Sequence, residues 1–95
     1  MTHEVILKRE NGKRVKIEVA FPHSPYQEVW SVIVTVCEPK KRTFYGVFDT
    51  DGYEYRRLSL DDRAKHRLEM YLLHATPEEI HQAKLELWEK MKPTL

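Results

Sequence analysis

The chain has little of several residue types, and each scarcity excludes a class of protein. Cys37 is the only cysteine among 95 residues, so the internal disulfides of small secreted domains are excluded. Only three glycines are present, and none belongs to a phosphate-binding loop or a dinucleotide-binding fingerprint. No uncharged apolar run reaches about 18 residues and no apolar segment follows the N-terminus, so we expect neither a membrane span nor an export signal. We therefore expect a cytoplasmic protein.

The sequence also lacks an excess of charge of either sign. Its 16 basic residues stand against 15 acidic ones, which gives a formal net charge of +1 at pH 7. A field this weak cannot by itself attract nucleic acid or an anionic membrane, so such binding would need a local basic patch. Apolar residues make up 41% of the chain and charged residues 33%, a composition typical of a folded domain and not of a disordered segment.

A change in the spacing of the apolar residues at Ser59 predicts the architecture. Upstream of this residue the apolar positions alternate as in strands, and downstream they recur at helical spacing. We predict one α+β domain over residues 1–95, with strands over about 2–58 and helices over about 59–92. The strands form an antiparallel meander of about five members, and the two C-terminal helices pack on one face of the sheet.

An Asn-Gly pair at positions 11 and 12 lies between two apolar runs, which is a strong hairpin signal. A two-residue turn there would place Leu7 opposite Lys16. A three-residue loop that ends in a left-handed Gly12 instead places Leu7 opposite Val15. Because one face of the sheet must be apolar, we predict the second register.

The remaining elements follow from similar patterns. The stretch 29–37 carries apolar residues on both faces, which predicts a central strand buried on both sides. Strands over 43–50 and 53–58 complete the meander. Ser59 and Thr76 have the side chains and the acidic followers of helix N-caps. We predict that most of the core comes from the central strand and the helix stripes: Trp30, Val32, Val34, Leu68, Leu72, Ile80, Leu87 and Trp88.

Metal and nucleophile motifs are incomplete. His66 and His74 would lie about 12 Å apart along a helix, too far to bind one ion without further ligands. The stretch 49–54 is similar to a calcium loop, but its first and twelfth ligand positions would be Val47 and Leu58, which are apolar. Cys37 has no histidine that the sequence places beside it, so we predict a buried structural thiol. We expect no cofactor, no metal and no enzymatic activity.

One hairpin combines cations with aromatic side chains, a pattern that suits single-stranded nucleic acid because aromatic rings stack on bases while cations contact phosphates. Glu38, Asp49, Asp51 and Glu54 lie in the same hairpin and would repel a phosphate backbone. A nucleic-acid-binding accessory protein is therefore the alternative interpretation. Its candidate residues are Lys40, Lys41, Arg42, Tyr53, Tyr55, Arg56 and Arg57.

Apolar residues outside the main helix stripes indicate a surface for another protein. These residues are Met70 and Leu73 in the first helix and Leu85 in the second. Extra apolar positions on small domains often serve association, although a broad stripe between a sheet and a neighbouring helix would look the same. We therefore expect a small cytoplasmic protein-interaction module that binds another protein or a second copy of itself.

Overall fold

The computed structural model describes residues 2–21, 31–47 and 57–91, which form an antiparallel sheet followed by two helices. In chain order the elements are β1 (Thr2–Lys8), β2 (Arg14–Ala20), β3 (Ser31–Cys37), β4 (Tyr45–Gly46), α1 (Leu60–Leu72) and α2 (Pro77–Met91). The strands lie side by side in the order of the chain, and every neighbouring pair is antiparallel. The predicted α+β meander is confirmed with four strands instead of five. Residues 53–56 of the predicted fifth strand fall outside the described residues, and its last two residues are not in a strand, since Arg57 is helical. None of the described helices is long and apolar enough to cross a membrane.

The β1–β2 hairpin adopts the predicted register. Leu7 lies opposite Val15, and Gly12 has a φ of +88°, as a three-residue loop with a left-handed third residue requires. The Arg9 amide donates to the Lys13 carbonyl at 2.8 Å, and the Gly12 amide donates to the Arg9 carbonyl at 3.0 Å. Val5 and Leu7 of β1 therefore share one face of the sheet with Val15, Ile17 and Val19 of β2.

The core lies between that face and α2. It is built from inward residues of β2, β3 and α2 with a small contribution from the end of α1: Val15, Ile17, Val19, Val34, Tyr71, Ala75, Ile80, Ala83, Leu87 and Met91. The capping predictions for both helices are confirmed. Ser59 Oγ accepts from the Asp62 amide at 3.2 Å, and Thr76 Oγ1 accepts from the Glu79 amide at 3.1 Å.

The predicted core needs correction in α1 and at the end of α2. Leu68 is 52% exposed and Leu72 is 41% exposed, because α1 meets the core through Tyr71 instead of through its leucine ladder. Trp88 is 37% exposed because it lies one position beyond Leu87, which points at the sheet. The predictions for Val34, Ile80 and Leu87 are confirmed, and Val32 packs against the core. Trp30 lies outside the described residues.

The prediction of a central strand is confirmed, because β3 pairs with β2 on one side and with β4 on the other, but its two faces are not equally buried. Ile33 is 47% exposed and Ser31 is exposed, because α2 covers only the opposite face of the sheet. Cys37 shares the open face with Ile33 but is fully buried. The chain that follows β3 folds over this end of the sheet, so the Cys37 thiol donates to the Lys41 carbonyl at 3.1 Å. The predicted buried cysteine is confirmed.

Candidate protein-binding groove

An apolar ladder runs along the exposed side of α1. Leu60, Ala64, Leu68 and Leu72 repeat every four residues and therefore lie on one side of the helix, over about 18 Å. All four are exposed, and Leu60 is 80% exposed. Leucine side chains normally lose water contact when a helix packs on its own domain. This side of α1 is consequently open to solvent.

A groove of about 380 Å³ lies where α1 meets α2 and the start of β3. Its apolar lining comes from all three elements: Val32, Ile33, Ala64, Leu68, Tyr71 and Ile80. The open rim is formed by half-exposed apolar side chains, since Ile33 is 47% and Leu68 is 52% exposed. The groove thus continues the α1 ladder down to the sheet.

The polar part of the groove carries positive charge. Arg67 on α1 and Lys84 on α2 line it together with Ser31. Among the described residues that line the groove, none is acidic. Lys84 is half-buried beside these apolar walls, and the lower polarity there strengthens its interaction with an opposite charge.

Two side chains of the first hairpin hold α2 over the sheet, and the first is Arg9. Its guanidinium donates from Nη1 to Glu79 Oε2 at 2.7 Å and from Nη2 to Glu79 Oε1 at 2.8 Å. The Nη2 group also donates to the His74 carbonyl at 2.9 Å, in the link between the helices. The Thr76 amide donates to the same Glu79 carboxylate at 2.9 Å, which completes a capping box.

The electrostatics of this contact stabilise the charged forms of both partners. The hydrogen bonds from Arg9 lower the pKa of Glu79 from 4.5 to about 2, against the opposing effect of partial burial. Hydrogen bonding to Glu79 raises the pKa of Arg9 in turn. The link between the helices is therefore anchored to the β1–β2 loop.

The second anchor is His3, at the other end of β1. Its Nε2 lies 2.7 Å from Glu86 Oε2, and its Nδ1 lies 2.8 Å from Lys90 Nζ. Hydrogen bonding to His3 lowers the pKa of Glu86. Because Lys90 can only donate, Nδ1 accepts and Nε2 donates, so both ring nitrogens are already engaged. This geometry leaves His3 poorly placed to act as a general base.

The three residues proposed from the sequence as partner-binding do not line the groove among its described residues. Leu73 is 71% exposed at the C-terminal end of α1, and Leu85 is 41% exposed on the outer side of α2, away from the core. Met70 is half-buried. The sequence did not predict that Ile33 and Leu68 line a groove, because an apolar side chain in a strand or helix has the same pattern as a core residue. No local signal shows which side of α1 meets the sheet.

The basic hairpin is only partly described. Lys40, Lys41, Arg42 and Arg57 are exposed, whereas Tyr53, Tyr55 and Arg56 lie outside the described residues. The aromatic residue that follows the basic run packs on the open sheet face. Its ring, Phe44, lies 4.5 Å from Lys16 Nζ and 5.5 Å from Arg14 Cζ. Tyr45 is 59% exposed and is the aromatic side chain that this part of the hairpin presents to solvent.

The described residues contain no group of three His, Cys, Asp or Glu side chains that could hold a metal ion. Burial lowers the pKa of His74, and the nearby charge of Lys13 lowers it further. Arg14 donates to Cys37 Sγ at 3.3 Å and to the Lys41 carbonyl at 2.7 Å, which closes the chain over the thiol.

No family model, curated protein or solved structure matches the chain.

Proposed function

We propose that the protein is a non-enzymatic interaction module whose groove binds an amphipathic helix of a partner protein. The apolar side of that helix lies against Leu68 and Ile33, and its acidic residues lie near Lys84. The observation that carries this proposal is the exposed apolar ladder of α1, which runs directly into the groove. Apolar surface of this extent on a small domain is typical of an interaction site.

The length of the ladder favours a helix over a small molecule. The groove alone has the volume of a small-ligand pocket, but the leucines continue along α1 for about 18 Å. Three turns of a partner helix span a similar distance and present apolar residues at matching intervals. The positive rim then selects partners with carboxylates beside the apolar side, since opposite charges give specificity and faster association.

Two reactive side chains of the described residues, His3 and Cys37, already have partners within the fold, which supports a non-enzymatic role. His3 has hydrogen-bond partners on both ring nitrogens, and Cys37 is buried beneath Arg14. The carboxylates with lowered pKa, Glu79 and Glu86, contact the hairpin residues that hold α2. Their charges therefore serve the fold. We also propose a cytoplasmic location, for which the single unpaired cysteine is the support.

The groove can be tested with a labelled synthetic helix that carries leucines at i, i+3, i+4 and i+7 and glutamates on both flanks. We expect saturable binding in fluorescence anisotropy, and binding at least about 10-fold weaker when lysines replace the glutamates. Leu68→Asp should abolish binding and Lys84→Glu should weaken it. Leu85→Asp and Lys41→Glu are the matched controls, because Leu85 lies on the outer side of α2, Lys41 lies in the link between β3 and β4, and both are exposed. Circular dichroism verifies that each variant is folded.

Two outcomes would contradict this function. One is the absence of saturable binding by either peptide. The other is equal loss of affinity in Leu68→Asp and Leu85→Asp, since that result would mean that the peptide contacts apolar surface without preference for the groove.

A second candidate is binding of single-stranded nucleic acid by the basic hairpin. The observation that favours it is the exposure of Lys40, Lys41 and Arg42 beside Tyr45, which is 59% exposed. Cations next to an accessible ring suit a phosphate backbone with stacked bases. Against it, Glu38 lies at the same turn and Phe44 is engaged with Lys16.

A further inference from the structure

The outer edge of β1 is the longest strand edge without a neighbour in the described part of the chain. The sheet order places β1 at one end, and only β2 pairs with it. An unpaired edge of seven residues presents a row of free N–H and C=O groups, to which another strand can add. This edge is separated from β3 and from the groove by β2, so the edge and the groove are two different surfaces.

The hairpin hydrogen bonds show which residues of β1 present those groups. The Arg9 amide and carbonyl both point towards β2, because the amide donates to Lys13 and the carbonyl accepts from Gly12. Backbone groups alternate in direction along an antiparallel strand. The outward groups are therefore those of Thr2, Glu4, Ile6 and Lys8, whose side chains all lie on the open face of the sheet.

From this edge we propose that the protein forms a two-fold symmetric dimer in which β1 pairs antiparallel with β1 of a second copy, centred on Ile6. In this register Ile6 lies opposite Ile6 of the second copy, and Glu4 lies opposite Lys8 of the second copy on both sides of the axis. Each of these pairs exchanges two backbone hydrogen bonds. Ile6, which is 47% exposed, becomes covered, and two pairs of opposite charges form.

Two neighbouring symmetric registers pair the side chains of β1 less favourably, which favours the register centred on Ile6. A register centred on Val5 places Glu4 opposite Ile6, so a charge meets an apolar side chain. A register centred on Leu7 places Glu4 opposite Glu10, so like charges meet. Only the register centred on Ile6 pairs apolar with apolar and acid with base, and cross-strand pairs of this kind determine strand register.

The helix side of the edge also fits this pairing. A groove of about 360 Å³ lies between β1 and α2, with Val5, Leu7 and Ala83 among its lining residues. In the proposed register Leu7 of the second copy lies opposite Val5, so the apolar part of each groove is covered. In the same register Arg9 of the second copy lies opposite His3 and keeps its ion pair with its own Glu79. The dimer thus joins two sheets into one and leaves both α1 ladders exposed.

Charge exchange at the two edge positions tests the proposal. Because contacts confined to one strand predict a weak dimer, sedimentation should be followed up to hundred-micromolar concentrations of the full chain. We expect the wild type to dimerise, and Glu4→Lys and Lys8→Glu each to weaken the dimer by roughly 10- to 100-fold through like-charge pairs. The double variant Glu4→Lys with Lys8→Glu should restore it. An equimolar mixture of the two single variants should also form a heterodimer.

Lys65→Glu is the matched control for the loss of a lysine, because Lys65 lies on exposed α1 and should leave the dimer unchanged. A thermal unfolding curve for each variant separates a lost dimer from a lost fold. A monomeric wild type over the whole range overturns the proposal. A dimer that survives both single variants overturns it as well, as does a double variant that stays monomeric. None of these results depends on the peptide-binding groove.

Discussion

Arg9 and Glu79 form a bidentate ion pair that joins the first hairpin turn to the first turn of the last helix, across 70 residues of sequence. The same carboxylate accepts from the Thr76 amide, so one side chain serves both the helix cap and the tertiary contact. Planar guanidinium and carboxylate groups match in this geometry, which makes the pair stronger than an isolated surface ion pair.

The pH dependence of stability should reveal this pair. The pKa of Glu79 is about 2 in the folded protein and 4.5 ordinarily, so its stabilising contribution is complete above 4.5 and is lost as the pH falls towards 2. After allowance for solvent screening, we expect Glu79→Gln to lower the free energy of unfolding by about 1–2 kcal/mol at neutral pH. The difference in the free energy of unfolding between the wild type and Glu79→Gln should vanish as the pH falls to about 2. Urea unfolding at several pH values measures it.

Glu78→Gln is the control for this measurement, because Glu78 occupies the same helix turn but is exposed. A loss of stability in Glu79→Gln that stays constant with pH would contradict the assigned cause. An equal loss in Glu78→Gln would attribute the effect to the helix dipole instead.

The two hairpin turns should respond in opposite ways to changes at their left-handed residues. Gly12 has a φ of +88°, and a Cβ there would lie 3.3 Å from Pro39 Cβ, so Gly12→Val should lower the free energy of unfolding by about 1–2 kcal/mol or more.

Lys40 has a φ of 65°, a left-handed conformation that glycine adopts more easily than a residue with a side chain. Lys40→Gly should therefore raise stability by up to about 1 kcal/mol. Chemical denaturation of both variants decides, and a destabilised Lys40→Gly would refute the strain at position 40.

Neighbouring residues of α2 should differ sharply in their contribution to the core. Leu87 is fully buried, so Leu87→Ala should cost about 2–5 kcal/mol through lost apolar contact and the cavity left behind. Trp88 is 37% exposed, and Trp88→Ala should cost only about 1–2 kcal/mol. Thermal and urea unfolding of the two variants give the comparison. Equal losses would mean that Trp88 is as important to the core as Leu87.

Nucleic-acid binding by the basic hairpin can be decided by its salt dependence. If Lys40, Lys41 and Arg42 contact phosphates, the affinity for labelled single-stranded DNA must fall with salt, with a log–log slope of about −0.7 per phosphate. We expect instead no complex tighter than about 10⁻⁴ M at physiological salt. Anisotropy titrations measure the affinity. A micromolar complex that disappears when all three residues are replaced by alanine would promote the second candidate function.

Features that depend on neighbouring residues could be predicted from the amino-acid sequence alone. The register of the first hairpin follows from Gly12 and the alternation of Val15 with its neighbours, because the loop and the apolar face agree. The N-caps at Ser59 and Thr76 were also predictable, since a cap bonds within one helical turn. The change of spacing at Ser59 then separated strands from helices correctly.

Which apolar faces are covered depends on contacts between distant parts of the chain. Periodicity shows that α1 has an apolar ladder and that β3 has apolar residues on both sides, but it contains no information about what packs against them. The helix α1 contributes Tyr71 to the core and leaves Leu68 exposed, and Arg9 binds the link that follows this helix. These contacts join residues far apart in the chain, so no local pattern predicts them, and the groove is visible only in the fold.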